Sequence, residues 1–423
     1  MKLRIALISD HASPLAAPGG ADCGGQNVYV SQLARALAAR GHHVDVFTRR
    51  DDPALPLVVP ACDGVRVIHV PAGPPGPVRK EDLLPHMTEF SAFTTGWCAC
   101  EDRGYDIVHA NFWMSGMVAL ELKARLDIPF VITFHALGRV RRLHQGEADA
   151  FPDARIVIEQ RIIERADRII AECPQDEQDL LTLYDADPGR MCMIPCGVDT
   201  TTFQPVPRRL ARSMLGIRQG ERVVLQLGRL VPRKGIDNVI RGIARLRDRY
   251  AVKASLLIVG GESDAPDPVR TPEIGRLLEV AESEGVAEQV RFVGRRGRDV
   301  LRYYYSAADV FVTTPWYEPF GLTPLESMAC GTPVIGADVG GISFTVADGE
   351  TGHLVPPNDP EMLADRLARV ITEPRHRHAL AKEGLRRARE HFSWPSVACA
   401  VEGLYDDVLA AGELAEAKLS LTA

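Results

Sequence analysis

Two glutamates, Glu318 and Glu326, stand eight positions apart in the stretch EPFGLTPLE. An apolar, β-branched run over 308–314 precedes them, and a helical pattern continues to Cys330. The pattern predicts a turn from a buried strand into a helix, with Thr323 as the N-cap. A helix that begins beside a glycine exposes backbone N–H groups, which suit an anion such as phosphate.

The same residues allow two other interpretations. Thr323 and Glu326 have the spacing of a capping box, in which the glutamate bonds back to the start of its own helix. A carboxylate pair also suggests a glycosidase, whose acids stand roughly 5 to 9.5 Å apart. Eight fully helical residues would separate the two by roughly 12 Å. Because the span is partly loop, this distance weakens the glycosidase interpretation without excluding it.

Basic residues precede a second predicted helix start. The sequence GRLVPRKG, residues 228–235, follows a predicted strand over 222–227 and leads into a helix from Ile236. Arg229 and Lys234 in this loop suit a diphosphate, although either residue is also compatible with a solvated surface charge.

The N-terminal half opens with a strand over 3–9, a loop from Asp10 to Gly25, a helix over 26–40 and a strand over 43–48. This βαβ order predicts a parallel sheet. The loop lacks G-x-G-x-x-G, and the second strand ends in two arginines rather than an acid, which argues against a dinucleotide cofactor.

His109 lies near the end of a predicted strand over 105–110, and His135 ends the next predicted strand, over 129–134. Because the carboxyl ends of parallel strands face the ligand crevice, this placement favours function over packing for both. A basic cluster in the same half is either a solvated face or a site for a phosphorylated acceptor. Its members are Lys80, Arg139, Arg141, Arg142 and Arg155.

Composition bounds the class of protein. A length of 423 residues allows two domains, and 46% hydrophobic with 25% charged residues is typical of a globular chain. The net charge of −7 argues against a nucleic-acid partner. The nine cysteines include no C-x-x-C pair, so we expect reduced thiols in a cytoplasmic protein and no metal site. The apolar start is too short for a signal peptide, and no stretch is long enough for a transmembrane helix.

The stretch EPFGLTPLE, followed by CGTPV at 330–334, resembles the donor-site signature of retaining glycosyltransferase family 4. The resemblance covers almost the whole chain. Residues 24–29 and 133–138 are similar to loops of sucrose-phosphate synthases and of mycothiol-type inositol-phosphate glycosyltransferases. It implies an α/β protein of the GT-B fold, with two Rossmann-like domains whose parallel sheets face a deep cleft.

The resemblance also implies roles for individual residues. Catalytic roles fall to Glu318 beside the transferred sugar, His135 on the donor sugar, and Arg229 with Lys234 on the leaving diphosphate. Donor contacts fall to Glu326 on the ribose and to Gly24, Gly25, Gly294, Phe320, Gly321, Leu322 and Thr323. Apart from the resemblance, we expect acceptor contacts from Asn27, Lys80, Trp113, Arg139 and Arg155.

We therefore expect an acceptor-binding domain over 1–199, a linker over 200–207, a nucleotide-sugar domain over 208–390, and a helix over 391–415 that crosses back to the first domain. The expected reaction is retaining transfer of a hexose from a nucleotide diphosphate sugar, with UDP-glucose as the donor by resemblance, to a small-molecule acceptor. A front-face mechanism needs no cofactor, metal or protein nucleophile.

The acceptor stays open at this point. The mycothiol-type enzyme has a tyrosine shortly before the serine of the pattern that reads HANFWMS here, where only Phe112 and Trp113 are offered. A sugar phosphate and a neutral glycan or lipid of the cell envelope are both compatible with the sequence. Alternatives of other classes are a hydrolase, a pyridoxal-phosphate phosphorylase on the same fold, and a non-catalytic nucleotide-sugar-binding module.

Overall fold

The computed structural model describes residues 2–16 and 24–422, with side chains as far as residue 414. The chain divides into two compact units. The first comprises the chain up to Pro195 together with the segment from Trp394 onward, and the second runs from Cys196 to Ser393.

The first unit is built on an eight-stranded sheet with the strand order β3-β4-β2-β1-β5-β6-β7-β8. Neighbouring strands are parallel except β3 and β4, which pair antiparallel at the edge. Its strands are β1 (Arg4–Ile8), β2 (His43–Arg49), β3 (Val58–Cys62), β4 (Val65–Val70), β5 (Ile107–Asn111), β6 (Phe130–Thr133), β7 (Arg168–Ala171) and β8 (Met191–Met193). Its helices begin with α1 (Gly25–Ala39), α2 (Met87–Cys100), α3 (Trp113–Leu126), α4 (Gly138–Gln145), α5 (Ala154–Arg165) and α6 (Pro174–Tyr184).

The second unit contains a six-stranded parallel sheet with the order β11-β10-β9-β12-β13-β14. Its strands are β9 (Val223–Leu227), β10 (Ser255–Val259), β11 (Val290–Gly294), β12 (Val310–Thr313), β13 (Val334–Ala337) and β14 (Gly352–Val355). Its helices are α7 (Arg208–Met214), α8 (Ile236–Tyr250), α9 (Pro272–Ser283), α10 (Arg298–Ala307), α11 (Leu322–Ala329), α12 (Gly340–Thr345), α13 (Pro360–Thr372) and α14 (Pro374–His391).

The strand order of each sheet fixes where a ligand crevice can form. In the second unit the order reverses between β9 and β12, and in the first it reverses between β1 and β5. At such a switch point the loops after the two strands diverge and leave a crevice beyond their carboxyl ends. The loops that follow β9 and β12 contain Arg229, Lys234 and Glu318.

The last helix, α15 (Trp394–Thr422), belongs to the first unit and packs against α1. Glu402 pairs with Arg40 and lies 2.9 Å from His42 Nε2, and the Tyr405 hydroxyl lies 2.8 Å from His109 Nδ1. Within the described part of the chain, no helix combines the length and apolar character needed to cross a membrane.

Candidate active site

At the switch point of the second unit, the loops after β9 and β12 approach each other closely at one glycine. Gly235 has a φ of 61°, and a Cβ there would lie 2.0 Å from the carbonyl oxygen of Thr314, so no larger residue fits. The Thr314 hydroxyl donates to the Gly235 carbonyl at 2.9 Å. The Trp316 N–H donates to the Arg233 carbonyl at 2.9 Å. Two hydrogen bonds therefore hold the loops after β9 and β12 together.

These contacts between the two loops place Lys234 next to Glu318. Lys234 Nζ donates to Glu318 Oε2, and Arg233 Nη1 lies 3.9 Å from the same oxygen. Both partners are mostly buried, with side-chain exposures of 17% for Lys234 and 14% for Glu318. Burial alone would raise the pKa of Glu318, but Lys234 and Arg233 outweigh it and hold that pKa below its usual value.

The pKa of Lys234 is lowered, chiefly by burial, although Glu318 opposes the shift. The guanidinium of Arg229 also acts on both groups while its side chain is exposed. One carboxylate thus stands among three cations, Arg229, Arg233 and Lys234. This excess of positive charge suits an anionic ligand at the helix start of α8.

The backbone at Glu318 is held by two glycines whose role the sequence did not indicate. Gly340 has a φ of 47°, and a Cβ there would lie 2.1 Å from the Glu318 carbonyl oxygen. The Gly341 N–H donates to that oxygen at 3.1 Å. The carboxylate of Glu318 is therefore positioned from both the β9 loop and the start of α12.

Helix α11 begins two residues earlier than the sequence predicted. Its N-cap is Gly321, whose φ of 83° lies in the left-handed region that glycine adopts readily, and Leu322 is the first helical residue. The prediction of Thr323 as N-cap is wrong for this reason. Leu322 and Thr323 are partly exposed in the first turn, whereas Phe320 is buried with its ring 6.2 Å from that of Phe392.

Glu326 consequently lies too far into the helix to cap it, so the capping-box interpretation is wrong. Its Oε2 accepts a hydrogen bond from the Tyr305 hydroxyl at 2.9 Å, and Arg298 Nη1 lies 2.9 Å from Oε1. Only 3% of Glu326 is exposed. The sequence did not single out either partner on α10, because their approach depends on how two helices pack.

Gly294 ends β11 with a φ of 89°, and a Cβ there would lie 2.3 Å from the Asp264 carbonyl oxygen. Its own carbonyl accepts from the Gly260 N–H at 3.0 Å. At this strand end, where Gly294 is predicted to contact the donor, two backbone segments therefore approach each other closely.

In the first unit, His135 lies at the carboxyl ends of three neighbouring strands. Its Nδ1 is 3.1 Å from Glu172 Oε2, beyond β7, and its Nε2 is 3.0 Å from Asn111 Oδ1, at the end of β5. The backbone φ of 58° at His135 is rare for a residue with a side chain and occurs often at functional positions. The ring of Tyr29 packs 4.7 Å from the imidazole.

His109 has a different environment. It lies inside β5 and is fully buried, with Nε2 2.9 Å from the Thr133 hydroxyl and Nδ1 at Tyr405. Burial, aided by His135, lowers its pKa to about 3. The prediction that His109 serves function rather than the core is wrong, because its strand continues to Asn111.

The N-terminal loop leads into α1 at Gly24 and Gly25, which are the N-cap and the first helical residue. Asn27 Oδ1 accepts from the Gly24 N–H at 3.0 Å, and its Nδ2 donates to the Ser13 carbonyl at 3.0 Å. Asn27 therefore uses both ends of its amide to fasten the helix start. The remainder of the predicted loop, 17–23, lies outside the described residues.

Two residues predicted to contact the acceptor, Trp113 and Arg155, are buried in the first unit, and for Trp113, which lies in the core, the predicted contact is wrong. Trp113 has no exposed area. Arg155 is 1% exposed, bonds Glu159 Oε1 through Nε at 2.7 Å, and stacks over Phe151 at 4.5 Å. One nitrogen of its guanidinium, Nη1, is buried without a hydrogen-bond partner within the described part of the chain.

The other cations of the predicted cluster are mostly engaged. Arg141 lies 2.9 Å from Asp149, and Arg142 pairs with Asp153. Arg139 is exposed, with its guanidinium over the ring of Tyr184 at 4.9 Å, and Lys80 is half-buried. Among the described residues, no three His, Cys, Asp or Glu side chains gather as metal ligands.

Comparison with known proteins connects both units to sugar transfer. The family profile "Glycosyl transferases group 1" matches residues 207–387, and "Glycosyltransferase Family 4" matches residues 23–202. A D-inositol 3-phosphate glycosyltransferase of Actinosynnema mirum is 40% identical over 92% of this chain and 94% of its own length. One from Kineococcus radiotolerans is 39% identical over 95% and 94%.

Among solved structures, sucrose-phosphate synthase of Thermosynechococcus elongatus is similar, with 37% identity and a TM-score of 0.87 over 97% of this chain and 100% of that one. The HepE protein of Anabaena, solved with UDP and glucose, is 20% identical with a TM-score of 0.74, covering 96% and 100%, and supports the fold. With both profiles and near full-length relatives in agreement, the chain belongs to glycosyltransferase family 4 and has the GT-B fold.

Proposed function

We propose that this glycosyltransferase transfers glucose from UDP-glucose to a phosphorylated small-molecule acceptor with retention of anomeric configuration. The observation that carries the donor half is the buried Lys234–Glu318 pair with Arg229 and Arg233 around it. A nucleotide diphosphate leaving group develops negative charge as the glycosidic bond breaks. Fixed cations lower the barrier when they bind that charge more strongly in the transition state than in the ground state.

In this proposal Lys234 and Arg229 bind the diphosphate, aided by the N–H groups at the start of α11. Glu318 stays ionised beside Lys234 and contacts the transferred sugar. The leaving phosphate takes the proton of the acceptor hydroxyl on the same face, so this chain supplies binding, orientation and charge. His135, held between Glu172 and Asn111, contacts the donor sugar.

Glu326 binds the ribose of the nucleotide in this proposal. Tyr305 and Arg298 orient its carboxylate, each through one oxygen. A carboxylate oxygen accepts more than one hydrogen bond, so both partners are compatible with added ribose hydroxyls.

Two observations support an anionic acceptor. Arg155 Nη1 is buried and has no hydrogen-bond partner among the residues that the structure describes, and a buried donor of this kind is costly unless a ligand satisfies it. Relatives at 40% and 37% identity are a D-inositol 3-phosphate glycosyltransferase and a sucrose-phosphate synthase, whose names both contain a phosphorylated sugar or cyclitol. The pattern HANFWMS offers Phe112 and Trp113 and no tyrosine, which distinguishes this chain from the mycothiol type. We therefore expect its relative rates with different phosphorylated acceptors to differ from those of that type.

The donor is tested by calorimetric titration with UDP, ADP and GDP, followed by their glucose and N-acetylglucosamine conjugates. We expect UDP and UDP-glucose to bind most tightly. Preference for another base or sugar would replace the donor while leaving the family assignment intact.

The acceptor is tested with matched pairs: D-inositol 3-phosphate against inositol, and fructose 6-phosphate against fructose. We expect the phosphorylated member of at least one pair to react at least 10²-fold faster, since a remote charged group contributes to rate when it orients the hydroxyl. Arg155→Lys keeps a cation opposite Glu159 and loses the planar fork, so it should reduce this preference, whereas exposed Arg161→Ala on the same helix should not. Equal rates within both pairs would indicate a neutral acceptor.

A further inference from the structure

A cavity of about 310 Å³ lies in the second unit, at the edge of the sheet where β12 begins. Its wall combines the start of α7, the end of α10, the turn after α11 and the first turns of α14. Arg208, Arg377 and His378 are among the lining residues, and none of the described residues that line the cavity is acidic. The cavity is separate from the candidate donor site, because Asp309 precedes β12 whereas Thr314, beside Lys234 and Gly235, follows it.

The cations at this cavity outnumber the acid that pairs with them. Asp309 lies 3.0 Å from Arg208 Nη1, 3.0 Å from Arg212 Nη2 and 3.6 Å from Arg377 Nη1. Glu221 also acts on Arg212, so two carboxylates face three guanidinium groups and a positive charge remains in excess. Arg212 is 2% exposed and fills the space behind the wall, so Arg208 and Arg377 present the excess to the cavity.

The local contacts hold these cations in place. Arg208 Nη2 donates to the Ala308 carbonyl at 2.6 Å, and Arg377 Nη1 lies within 3.4 Å of the carbonyls of Val370 and Ile371. Burial lowers the pKa of Arg377, Asp309 opposes the shift, and the neighbouring arginines add to it. Positive charges that are partly buried and incompletely paired carry a free-energy cost that a bound anion would remove.

We propose that this cavity binds the phosphate of a small phosphorylated metabolite, with Arg208 and Arg377 as its ligands. Planar guanidinium groups fixed at their other edges bind phosphate oxygens in a bidentate manner. The first turn of the 18-residue helix α14 also lines the cavity and adds the positive end of its dipole. The volume lies at the lower end of the roughly 300 to 1,000 Å³ typical of small-molecule sites, which leaves room for an organic group beside the phosphate.

The test is calorimetric titration of the intact protein, at fixed ionic strength in chloride buffer, with inorganic phosphate and with glucose 6-phosphate as probes. We expect saturable binding of at least one probe. Arg377→Gln should weaken it by about 10- to 100-fold, because a charged hydrogen-bonded contact to phosphate is lost. Arg386→Gln is the matched control, since Arg386 lies on the same helix and pairs with Glu383 and Glu390.

A second variant keeps all three arginines. Ala381 lines the cavity, so Ala381→Glu supplies a carboxylate to the excess charge and should abolish binding while preserving or raising thermal stability. Tighter binding of glucose 6-phosphate than of phosphate would indicate an organic ligand, and equal binding would indicate that phosphate alone is recognised. Absence of saturable binding by either probe, or binding equally strong in Ala381→Glu and wild type, would overturn the proposal. Neither outcome depends on sugar transfer.

Discussion

Replacing Lys234 tests whether its charge stabilises the fold, binds the donor diphosphate, or does both. In Lys234→Ala, Glu318, whose side chain is 14% exposed in the wild type, keeps Arg233 at 3.9 Å and the charge of Arg229 as compensation among the described residues. Removing one partner of a buried ion pair costs about 3 to 5 kcal/mol, and the remaining cations place this case near the lower end. A loss of about 3 kcal/mol lowers the melting temperature of a unit of this size by about 6 to 12 °C.

The same variant should bind the diphosphate of UDP more weakly than the wild type does. A charge-assisted hydrogen bond contributes about 1.5 to 3 kcal/mol, so UDP affinity should fall by roughly 10- to 150-fold and turnover by at least about 10². Melting temperature, UDP titration and kcat are measured on one preparation. Lys253→Ala, at an exposed lysine of the same unit, is the control and should match wild type in all three.

The double variant Lys234→Ala/Glu318→Gln distinguishes neutralisation of Glu318 from binding of the diphosphate. Without the carboxylate, no buried anion is left without its nearest cation, so thermal stability should return towards that of the wild type. UDP affinity should stay as low as in Lys234→Ala, because the cation for the diphosphate is still missing. Recovery of wild-type UDP affinity in the double variant would show that Lys234 acts only by neutralising Glu318, and the donor-site reasoning would be refuted.

Three further variants probe individual side chains. Glu326→Gln keeps an acceptor for Tyr305 but loses the charge opposite Arg298, so UDP affinity measured by calorimetry should fall at least tenfold; a loss of stability alone would make Glu326 structural. His109 stays neutral in the folded protein, so wild-type stability should fall as pH drops from 6.5 towards 3, and His109→Gln should remove about 2 kcal/mol of that loss by pH 5 in denaturant curves. Trp113→Phe should lower thermal stability and leave the acceptor KM unchanged, and the opposite pattern would contradict its place in the core.

The sequence predicts most of the framework because its signals are local. Aliphatic runs separated by helical periodicity identify nearly all the parallel strands, and the glycine-rich loops after β9 and β12 predict a donor site. The edge strand β3 was missed because it carries Pro60 inside a proline-rich stretch. Helix α4 was missed because its sequence GRVRRLHQ offers almost no apolar face.

Side-chain partners are harder to predict because they depend on packing between distant segments. The sequence places Arg155 in a basic cluster that is either a solvated face or a phosphate site, and in the structure it lies among aromatic rings and pairs with Glu159. The spacing of four residues on one helix was the available signal for that pair. No comparable signal joined Arg298 and Tyr305 to Glu326, or the two glycines at 340–341 to Glu318. Residues that support a site from other loops become visible only in the folded chain.

The most direct test of the central claim is the anomeric configuration of the product. The protein is incubated with UDP-glucose and the best phosphorylated acceptor from the matched pairs, and the purified product is analysed by proton NMR. We predict release of UDP and an α-linked glucoside, because the donor is α-linked and the proposed front-face mechanism retains that configuration. A β-linked product, or UDP-glucose hydrolysis without transfer to any phosphorylated acceptor, would contradict the account.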